Sequence, residues 1–423
     1  MVSSHTGGFW PTFAGSYYGR EPFESDDPPV GFAVTSADLF SLLVGAFGQR
    51  LAGPQTPPFR FYVGQRQVIA DLADYLPVAA DASIDGYLAR LERQLGGEPY
   101  LLVVEHAQVA SRRVWRQVAA FLASLYGATG AFPGRVDVEI FVGRYPHTIP
   151  GIHRERSGVF VSMAHGAKDI LVWPPSATGL PRGSARYQHA IPSSRRLRCA
   201  PGRLVYWPAM HWHVGESRAA TAGLHIAVLE DPLTVRDLLT DTSQLDAQIA
   251  ARLGPGWAHA AHDLALPSEL ESAVESVVSA YGDYDSVRDR LIASWLRRRT
   301  ALGFAAVPPS RKVVLRLDHI VTRDGVHEIV VARKDSAFSW IAADGRVGYA
   351  RSVACLMPLI DRLNSGQPIT VSAALDLAAA PRDREVLLKV LTLLAGWRAL
   401  ATTATARGAL VPQLGAPDRP TAR

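Results

Sequence analysis

Residues 153–175 of this 423-residue chain read HRERSGVFVSMAHGAKDILVWPP. Two apolar runs inside this stretch, 159–163 and 169–173, have the length and residue types of sheet strands, and a glycine-containing turn separates them. His153 and Glu155 stand just before the first run, with one residue between them. Because strand side chains repeat every two residues, the imidazole and the carboxylate are expected to share one face.

The strand pattern continues on both sides of this stretch. Before it, Val136, Val138, Ile140 and Val142 alternate with more polar residues, which predicts a strand with one buried face. After it, strands are predicted at residues 203–206 and 223–229, with Gly- and Pro-rich turns between them. Many short strands joined by such turns are typical of a β-barrel or a β-sandwich.

Helical spacing of apolar residues dominates the rest of the chain, and a break at Pro308 and Pro309 precedes a last, mixed region. The size and order of that last region suit a winged-helix-like module. Helices are predicted at residues 39–51, 84–95, 112–125, 233–253, 270–281, 287–302, 357–363 and 383–400, and further strands at 60–69, 100–105, 313–317, 326–332 and 338–341.

Composition limits the classes of protein to which this chain can belong. The formal net charge is +5, and the basic residues are 40 Arg but only 4 Lys, so each lysine is informative. Two cysteines are too few for a disulfide scaffold. No apolar run is long enough for a transmembrane helix, no secretory signal pattern opens the chain, and no P-loop motif appears. We therefore expect a cytoplasmic protein without a membrane partner, and phosphoryl transfer is not a serious alternative activity.

A metal site is the chemistry that the His-x-Glu pair indicates. An imidazole and a carboxylate on one face occupy two adjacent coordination positions, and a third ligand must come from elsewhere. The segment 205–214, VYWPAMHWHV, offers both His211 and His213. Two histidines and one carboxylate form the facial triad of non-haem ferrous oxygenases, which leaves three positions open.

The same residues resemble the Jumonji-C, or cupin-like, iron and 2-oxoglutarate dioxygenases, and most closely the asparaginyl hydroxylase that inhibits hypoxia-inducible factor. In that family a basic residue follows the first His at fifteen positions, where this chain has Lys168, and a Pro-Pro follows, here at 174–175. A second signature, Gly-x-x-x-Tyr-x-Pro with a His five residues later, is filled by Gly202, Tyr206, Pro208 and His213. Most relatives have Asp where this chain has Glu155.

The resemblance implies a fold, a ligand set and a reaction. It implies a mainly β core with helices, a double-stranded β-helix of the jelly-roll or cupin kind, with Fe(II) held by His153, Glu155 and His213. It implies 2-oxoglutarate and O2 as co-substrates, with Lys168 holding the distal carboxylate of 2-oxoglutarate and His225 near the iron. The implied activity is hydroxylation of an amino-acid side chain in a protein or a ribosomally made peptide.

Bacterial ribosomal-protein hydroxylases of this superfamily have a similar order of parts, which sets the expected domains. These are an oxygenase domain at residues 1–230, a helical linker or dimerisation segment at 231–305, a winged-helix-like substrate-recognition module at 306–402 and a disordered tail at 403–423. A homodimer through the helical segment is expected.

Three alternatives stay open at this stage. His211 could replace His213 as the third ligand. The cluster Arg297, Arg298 and Arg299, together with a winged helix, would suit an oxygenase directed to nucleic acid. A non-catalytic cupin-type binding protein is the third reading. The substrate and the hydroxylated atom are not encoded in any motif of the chain.

Overall fold

The computed structural model describes residues 8–29, 32–52, 58–130, 135–184, 186–229, 274, 284–304 and 306–404. The chain divides into two compact units, Met1–Pro308 and Pro309–Arg423. Each unit is described by itself below.

Helices and short strands alternate in the first part of unit 1. Two helices begin at serine caps: Ser83 accepts a hydrogen bond from the backbone N–H of Gly86, and Ser111 accepts one from Val114. Both of these helices, predicted from apolar spacing, are confirmed. The elements are α1 (Phe9–Ser16), β1 (Phe23–Ser25), α2 (Ser36–Ala52), β2 (Phe59–Val63), β3 (Arg66–Val68), α3 (Ile84–Leu95), β4 (Tyr100–Val104) and α4 (Arg112–Thr129).

Longer strands form the second part of unit 1. They are β5 (Val136–Tyr145), β6 (Ser157–His165), β7 (Lys168–Trp173), β8 (Arg195–Cys199), β9 (Leu204–Trp207) and β10 (Trp212–Leu229), and α5 (Tyr284–Thr300) follows. The predicted strands at 136–142, 159–163, 169–173, 203–206 and 223–229 are confirmed within these elements.

β10 organises this β-core, because its two halves pair with different strands. Its first half, from Trp212 to Glu216, pairs antiparallel with β7, which in turn pairs with β8. A bulge between Ser217 and Thr221 interrupts the register. Its second half lies between β5 and β6, in the strand order β1-β9-β6-β10-β5-β4-β2-β3.

A buried layer of side chains lies between these two groups of strands. Val159 and Val161 of β6 share it with Ile170 and Val172 of β7 and with Trp207 of β9. The architecture is thus mainly antiparallel sheet with helices, consistent with a cupin-like β-sandwich. That part of the predicted fold class is confirmed.

Several local predictions differ from the structure. β8 was not expected, because three of its five residues are arginines that face outward while Leu197 and Cys199 are buried. Residues 60–69 form a hairpin of β2 and β3 around Gly64 at φ +59°, not one strand. The strand predicted at residues 313–317 is wrong, since that segment has no strand pairing.

Unit 2 has its own apolar core, which its helices and strands share. Leu359, Leu363 and Leu391 are fully buried in it. Its strands form two three-stranded antiparallel sheets, in the orders β15-β11-β16 and β12-β13-β14. The elements are β11 (His319–Arg323), β12 (Val330–Arg333), β13 (Phe338–Ala343), β14 (Arg346–Arg351), α6 (Leu356–Asn364), β15 (Ile369–Thr370), α7 (Val371–Leu375), α8 (Pro381–Gly396) and β16 (Leu400–Ala404).

Two sequence-based expectations fall largely outside the described residues. The helices predicted at 233–253 and 270–281, and most of the dimerisation segment at 231–305, belong to that part of the chain. So does the tail predicted at 403–423, apart from Thr403 and Ala404, which pair with β11. Within the described ranges, no helix combines the length and the apolarity needed to cross a membrane.

Candidate active site

One cavity in unit 1 brings the five predicted site residues together. Its volume is about 240 Å³, and His153, Glu155, Lys168, His213 and His225 all line its wall. They come from the loop before β6, from the start of β7 and from both halves of β10, so β10 contributes to the site at two points twelve residues apart.

His153 and His213 are held side by side by a backbone bridge. The N–H of His153 donates to the carbonyl of His213 at 3.1 Å, and the N–H of His213 donates to the carbonyl of His153 at 2.8 Å. Residues paired in this way project to the same face. The two ring centroids are accordingly 4.3 Å apart.

Each of the two imidazoles is oriented through its Nδ1 atom. Nδ1 of His153 lies 2.9 Å from the carbonyl oxygen of Gly151, and Nδ1 of His213 lies 3.1 Å from that of His211. With Nδ1–H donating to a carbonyl, Nε2 carries the free lone pair that a metal requires. Burial lowers the pKa of His153 and, together with the neighbouring His153, lowers the pKa of His213 to about 3, so both rings are neutral at pH 7.

The carboxylate of Glu155 completes this set of donors. Its Oε1 lies 3.6 Å from Nε2 of His213. Burial raises the pKa of Glu155 to about 7, although 41% of its side-chain surface still faces solvent. A bound cation would oppose that rise and keep the carboxylate ionised.

These donors fit a metal chemically but are not gathered around one point. In the part of the chain that the structure describes, no three His, Cys, Asp or Glu side chains are placed to hold an ion as they stand. Two neutral imidazoles with free Nε2 atoms and one adjacent carboxylate match the donor set of a ferrous facial triad.

His211 has different surroundings from His213. It does not line the cavity, and its Nδ1 lies 3.4 Å from the carbonyl oxygen of Ala209. On a strand, residues 211 and 213 share a face, but Met210 has φ +65° and the strand begins only at Trp212. The turn therefore separates the two histidines, and it is His213 that lies with His153 and Glu155.

Lys168 is a buried cation without an acidic partner. Its side chain is 2% exposed, and its Nζ lies 2.7 Å from Nε2 of His225 and 3.5 Å from the hydroxyl of Tyr145. Among the described residues no Asp or Glu pairs with it, and the nearby Cys199 thiol is neutral because burial raises its pKa to about 12. Burial accordingly lowers the pKa of Lys168 to about 8.

His225 links Lys168 to the rest of the cavity wall. Burial, and then the charge of Lys168, lower its pKa well below the usual value, so its neutral Nε2 accepts the hydrogen bond from the lysine. Its ring lies 4.3 Å from that of Phe141, and Trp207 packs between it and His213, with centroid distances of 6.2 and 5.0 Å.

Sequence reasoning missed one strand face that lines the site. Glu139, Phe141 and Tyr145 lie on the face of β5 opposite to the apolar residues that predicted the strand, and Glu139 and Phe141 line the cavity. Burial, and then Glu155, raise the pKa of Glu139 to about 7. An acidic residue between Val138 and Ile140 was the available signal, but an exposed outer face explains such a pattern equally well.

Other residues singled out by the sequence lie away from this cavity. His165 pairs with Asp85 at 3.2 Å. Of the arginine cluster at the end of α5, Arg299 is only 3% exposed and stacks on Trp295 at 5.0 Å, so it does not present its charge to solvent. That burial argues against a continuous basic face on the helix.

Comparison with known proteins adds a likeness of structure. No protein-family model matches the chain, and no curated protein does. Among solved structures, Escherichia coli YcfD matches with 15% identity and a TM-score of 0.49 over 93% of this chain and 98% of that one. YcfD described as a ribosomal oxygenase, in complex with cobalt and succinic acid, matches with 14% identity and a TM-score of 0.46 over 93% and 98%. Its complex with cobalt and 2-oxoglutarate matches with 14% identity and a TM-score of 0.45 over the same shares.

These neighbours are ribosomal oxygenases, the class of protein that the sequence motifs resemble. Identities of 14–15% and TM-scores below 0.5 transfer neither residues nor substrate to this chain. The side chains of the cavity have to carry the functional argument.

Proposed function

We propose that this protein is an Fe(II)- and 2-oxoglutarate-dependent dioxygenase that hydroxylates an amino-acid side chain of a protein or a ribosomally made peptide. The observation that carries the proposal is the content of one cavity. His153, Glu155 and His213 offer the donor set of a ferrous triad, and Lys168 offers a buried cation without an acidic partner.

Three protein side chains would hold the metal. Its ligands would be Nε2 of His153, Nε2 of His213 and the carboxylate of Glu155. The carbonyls of Gly151 and His211 fix the orientation of the two rings through Nδ1. Bound ferrous iron supplies the activation of O2 that no side chain of the chain can perform. Glu155 is one methylene longer than the aspartate of most relatives. That extra length suits a carboxylate whose Oε1 lies 3.6 Å from Nε2 of His213.

Lys168 would hold the distal carboxylate of 2-oxoglutarate. A buried ammonium that lacks a counter-ion is costly, and an incoming carboxylate removes that cost. One N–H of the Lys168 ammonium donates to Nε2 of His225, and the hydroxyl of Tyr145 lies 3.5 Å from the same Nζ. The remaining donors of the ammonium can meet the co-substrate at the start of β7.

The strand order supports a double-stranded β-helix around this site. β9, β6, the second half of β10 and β5 lie side by side, and β8, β7 and the first half of β10 form the facing set. The bridge between His153 and His213 adds the ligand-bearing segment to the edge of the second set. Ligands at the edge of the second set, with Lys168 at the start of β7 in the same set and His225 on the facing set, suit a cupin-type centre.

The finer assignments follow the same proposal. Residues 1–230 are the oxygenase domain, 231–305 are the linker through which two copies pair, and 306–402 are a winged-helix-like module that recognises the polypeptide. The protein acts in the cytoplasm. The arginine cluster at 297–299, with Arg299 buried, gives less support to a nucleic-acid substrate.

An anaerobic titration tests the proposal directly. Adding Fe(II) and then 2-oxoglutarate to the full chain should produce the weak visible charge-transfer absorption of an iron-bound 2-oxo acid, and admitting O2 should convert 2-oxoglutarate to succinate. His165→Ala, which changes a histidine outside the cavity, is the matched control and should behave as wild type. A wild-type protein that binds iron but neither binds nor consumes 2-oxoglutarate would refute the proposed function.

A further inference from the structure

Two arginines beside the site stack on one indole ring. The guanidinium carbon of Arg154 lies 4.6 Å from the ring centroid of Trp212, and that of Arg182 lies 4.7 Å from the same centroid. Arg154 and Arg182 are exposed, whereas Trp212 is 5% exposed and belongs to the apolar cluster behind the ligands. Two like charges are therefore held within 5 Å of one ring.

Neither arginine has a carboxylate partner among the described residues. Several other arginines of unit 1 do pair with Asp or Glu. Such pairs are Arg60 with Glu105, Arg90 with Asp81, Arg144 with Glu92, and Arg196 and Arg198 with Asp169. The pair on Trp212 thus presents guanidinium donors that no carboxylate of the described residues occupies.

The backbone places this pair directly behind the candidate ligands. Because His153 and His213 are bridged antiparallel, Arg154 lies opposite Trp212 on the other face of the same two segments. Arg182 is fixed by a second bridge, to Ile152. The arginines and the candidate ligands thus lie on opposite faces of the same two segments, and about three residues of extended peptide span roughly 10 Å.

We propose that Arg154 and Arg182, stacked on Trp212, bind the carboxylates of an acidic segment that flanks the modified residue in the polypeptide substrate. The inference rests on the proposed function and adds a sequence preference to it. A planar guanidinium held against a ring is pre-organised for the bidentate recognition of carboxylates.

The size and surroundings of the pair favour an acidic peptide over nucleic acid. Nucleic-acid binding usually engages many phosphates along a basic track. Here two guanidiniums form a compact site on a single indole ring, not a track. A polypeptide can place acidic side chains at the arginines and a different side chain in the cavity.

Fluorescence anisotropy on the full chain tests this proposal. The probes are a labelled dodecapeptide with Asp at alternate positions, its counterpart with Asn in place of Asp, and a labelled twelve-nucleotide single-stranded RNA. The variant is Arg154→Met with Arg182→Met, which keeps an apolar chain on Trp212. The matched control is Arg66→Met with Arg93→Met, which removes two exposed arginines that line no part of the cavity.

The Asp peptide should bind wild type and the control equally, and bind the Arg154/Arg182 variant about tenfold more weakly or worse. The Asn peptide should bind all three proteins weakly. Equal binding of the Asp and Asn peptides, or equal loss in the control, would overturn the proposal. Preference for RNA that is lost in the Arg154/Arg182 variant would overturn it in favour of nucleic acid.

Iron and 2-oxoglutarate binding, measured on the same samples, separates this inference from the proposed function. The Arg154/Arg182 variant should retain both, because neither arginine lines the cavity. Wild type that selects the Asp peptide but binds no 2-oxoglutarate would refute the oxygenase and leave the peptide site standing. Wild type that consumes 2-oxoglutarate but does not select the Asp peptide would refute only the peptide site.

Discussion

Nζ of Lys168 and Nε2 of His225 are 2.7 Å apart, although 57 residues separate them in the chain. Both are bases, both are buried, and no acidic residue of the described chain balances them. Two adjacent buried cations would repel each other, so only one of the two side chains is positively charged. The pKa of His225 is well below its usual value of 6.5, whereas that of Lys168 is about 8. The ammonium of Lys168 is therefore the one positive charge of this pair, with neutral His225 as its acceptor.

Replacing Lys168 should separate co-substrate binding from metal binding. Lys168→Ala is expected to weaken 2-oxoglutarate binding by at least about 30-fold, since losing the buried charged partner of a carboxylate costs roughly 2–5 kcal/mol. The affinity for Mn(II), used as a redox-inert probe of the metal site, should change little. Isothermal titration calorimetry measures both. Unchanged 2-oxoglutarate affinity would show that another group binds the distal carboxylate.

The pH dependence of co-substrate binding should follow the same lysine. Burial lowers the pKa of Lys168 to about 8, so the ammonium is present below pH 8 and is lost as the pH rises through that value. In the Mn(II)-loaded protein, 2-oxoglutarate affinity should therefore be highest below pH 8 and fall by up to about tenfold per pH unit above it. Glu139, with a pKa raised to about 7, gains negative charge just below that range and acts in the same direction.

Lys168→Arg provides the control for that profile, because a guanidinium stays charged over the whole range. Its profile above pH 8 should be flatter than that of wild type, whatever its absolute affinity. The assignment fails if the two profiles have the same slope, or if wild-type affinity rises with pH.

The choice between His211 and His213 can be made by metal analysis. His153→Ala and His213→Ala should each abolish stoichiometric iron binding, because a facial triad has no spare protein ligand. His211→Ala should retain it, since that side chain does not line the cavity. Equilibrium dialysis followed by elemental analysis gives the occupancy. Full iron occupancy in His213→Ala would move the assignment to His211.

The sequence singled out five side chains that line one cavity, but not their mutual arrangement. Periodicity of two places His153 and Glu155 on one face, and fixed spacings in a known family lead to Lys168 and His213. The contact between Lys168 and His225 depends on how β7 and the second half of β10 are brought together, which no local pattern contains. Glu139 was overlooked for the related reason that a cavity wall and a solvent-facing sheet surface give the same alternation of apolar and polar residues.

The fold shows the same limit. The strand at 223–229 was predicted from its apolar residues, but the strand continues back to Trp212 through Gly215, Glu216 and Ser217, whose polar character hides it. Glu216 is buried and accepts a hydrogen bond from the Tyr187 hydroxyl at 2.7 Å, a partner 29 residues away. Tertiary hydrogen bonding of this kind allows polar residues inside a strand that a hydrophobicity pattern does not include.

A homodimer stays a prediction from the apolar content of residues 233–302. Sedimentation equilibrium of the full chain at micromolar concentration should give twice the mass of 45.7 kDa. Deleting residues 233–283 is not a clean test, because it also shortens the connection to α5. Arg66→Met, a surface change on β3, serves as the control for sample handling and should have the same mass as wild type. A single-chain mass at these concentrations would remove the claim.

Unit 2 should contribute to recognition and not to chemistry. Every residue that lines the cavity lies in unit 1, and the buried leucines of unit 2 form a separate core. Removing residues 310–423 should therefore leave Mn(II) and 2-oxoglutarate affinities within about twofold of wild type, and slow uncoupled decay of 2-oxoglutarate should persist. The apparent affinity for a polypeptide substrate, measured from its hydroxylation by mass spectrometry, should fall sharply.

In the full chain, Leu391→Ala is the companion variant, since emptying that buried position costs about 2–5 kcal/mol and loosens unit 2 alone. It should reduce substrate affinity in the same direction while leaving co-substrate binding unchanged. If the truncated protein hydroxylates its polypeptide substrate with unchanged affinity, unit 2 is not a recognition element; if the isolated unit binds duplex DNA tightly with a steep salt dependence, its partner is nucleic acid.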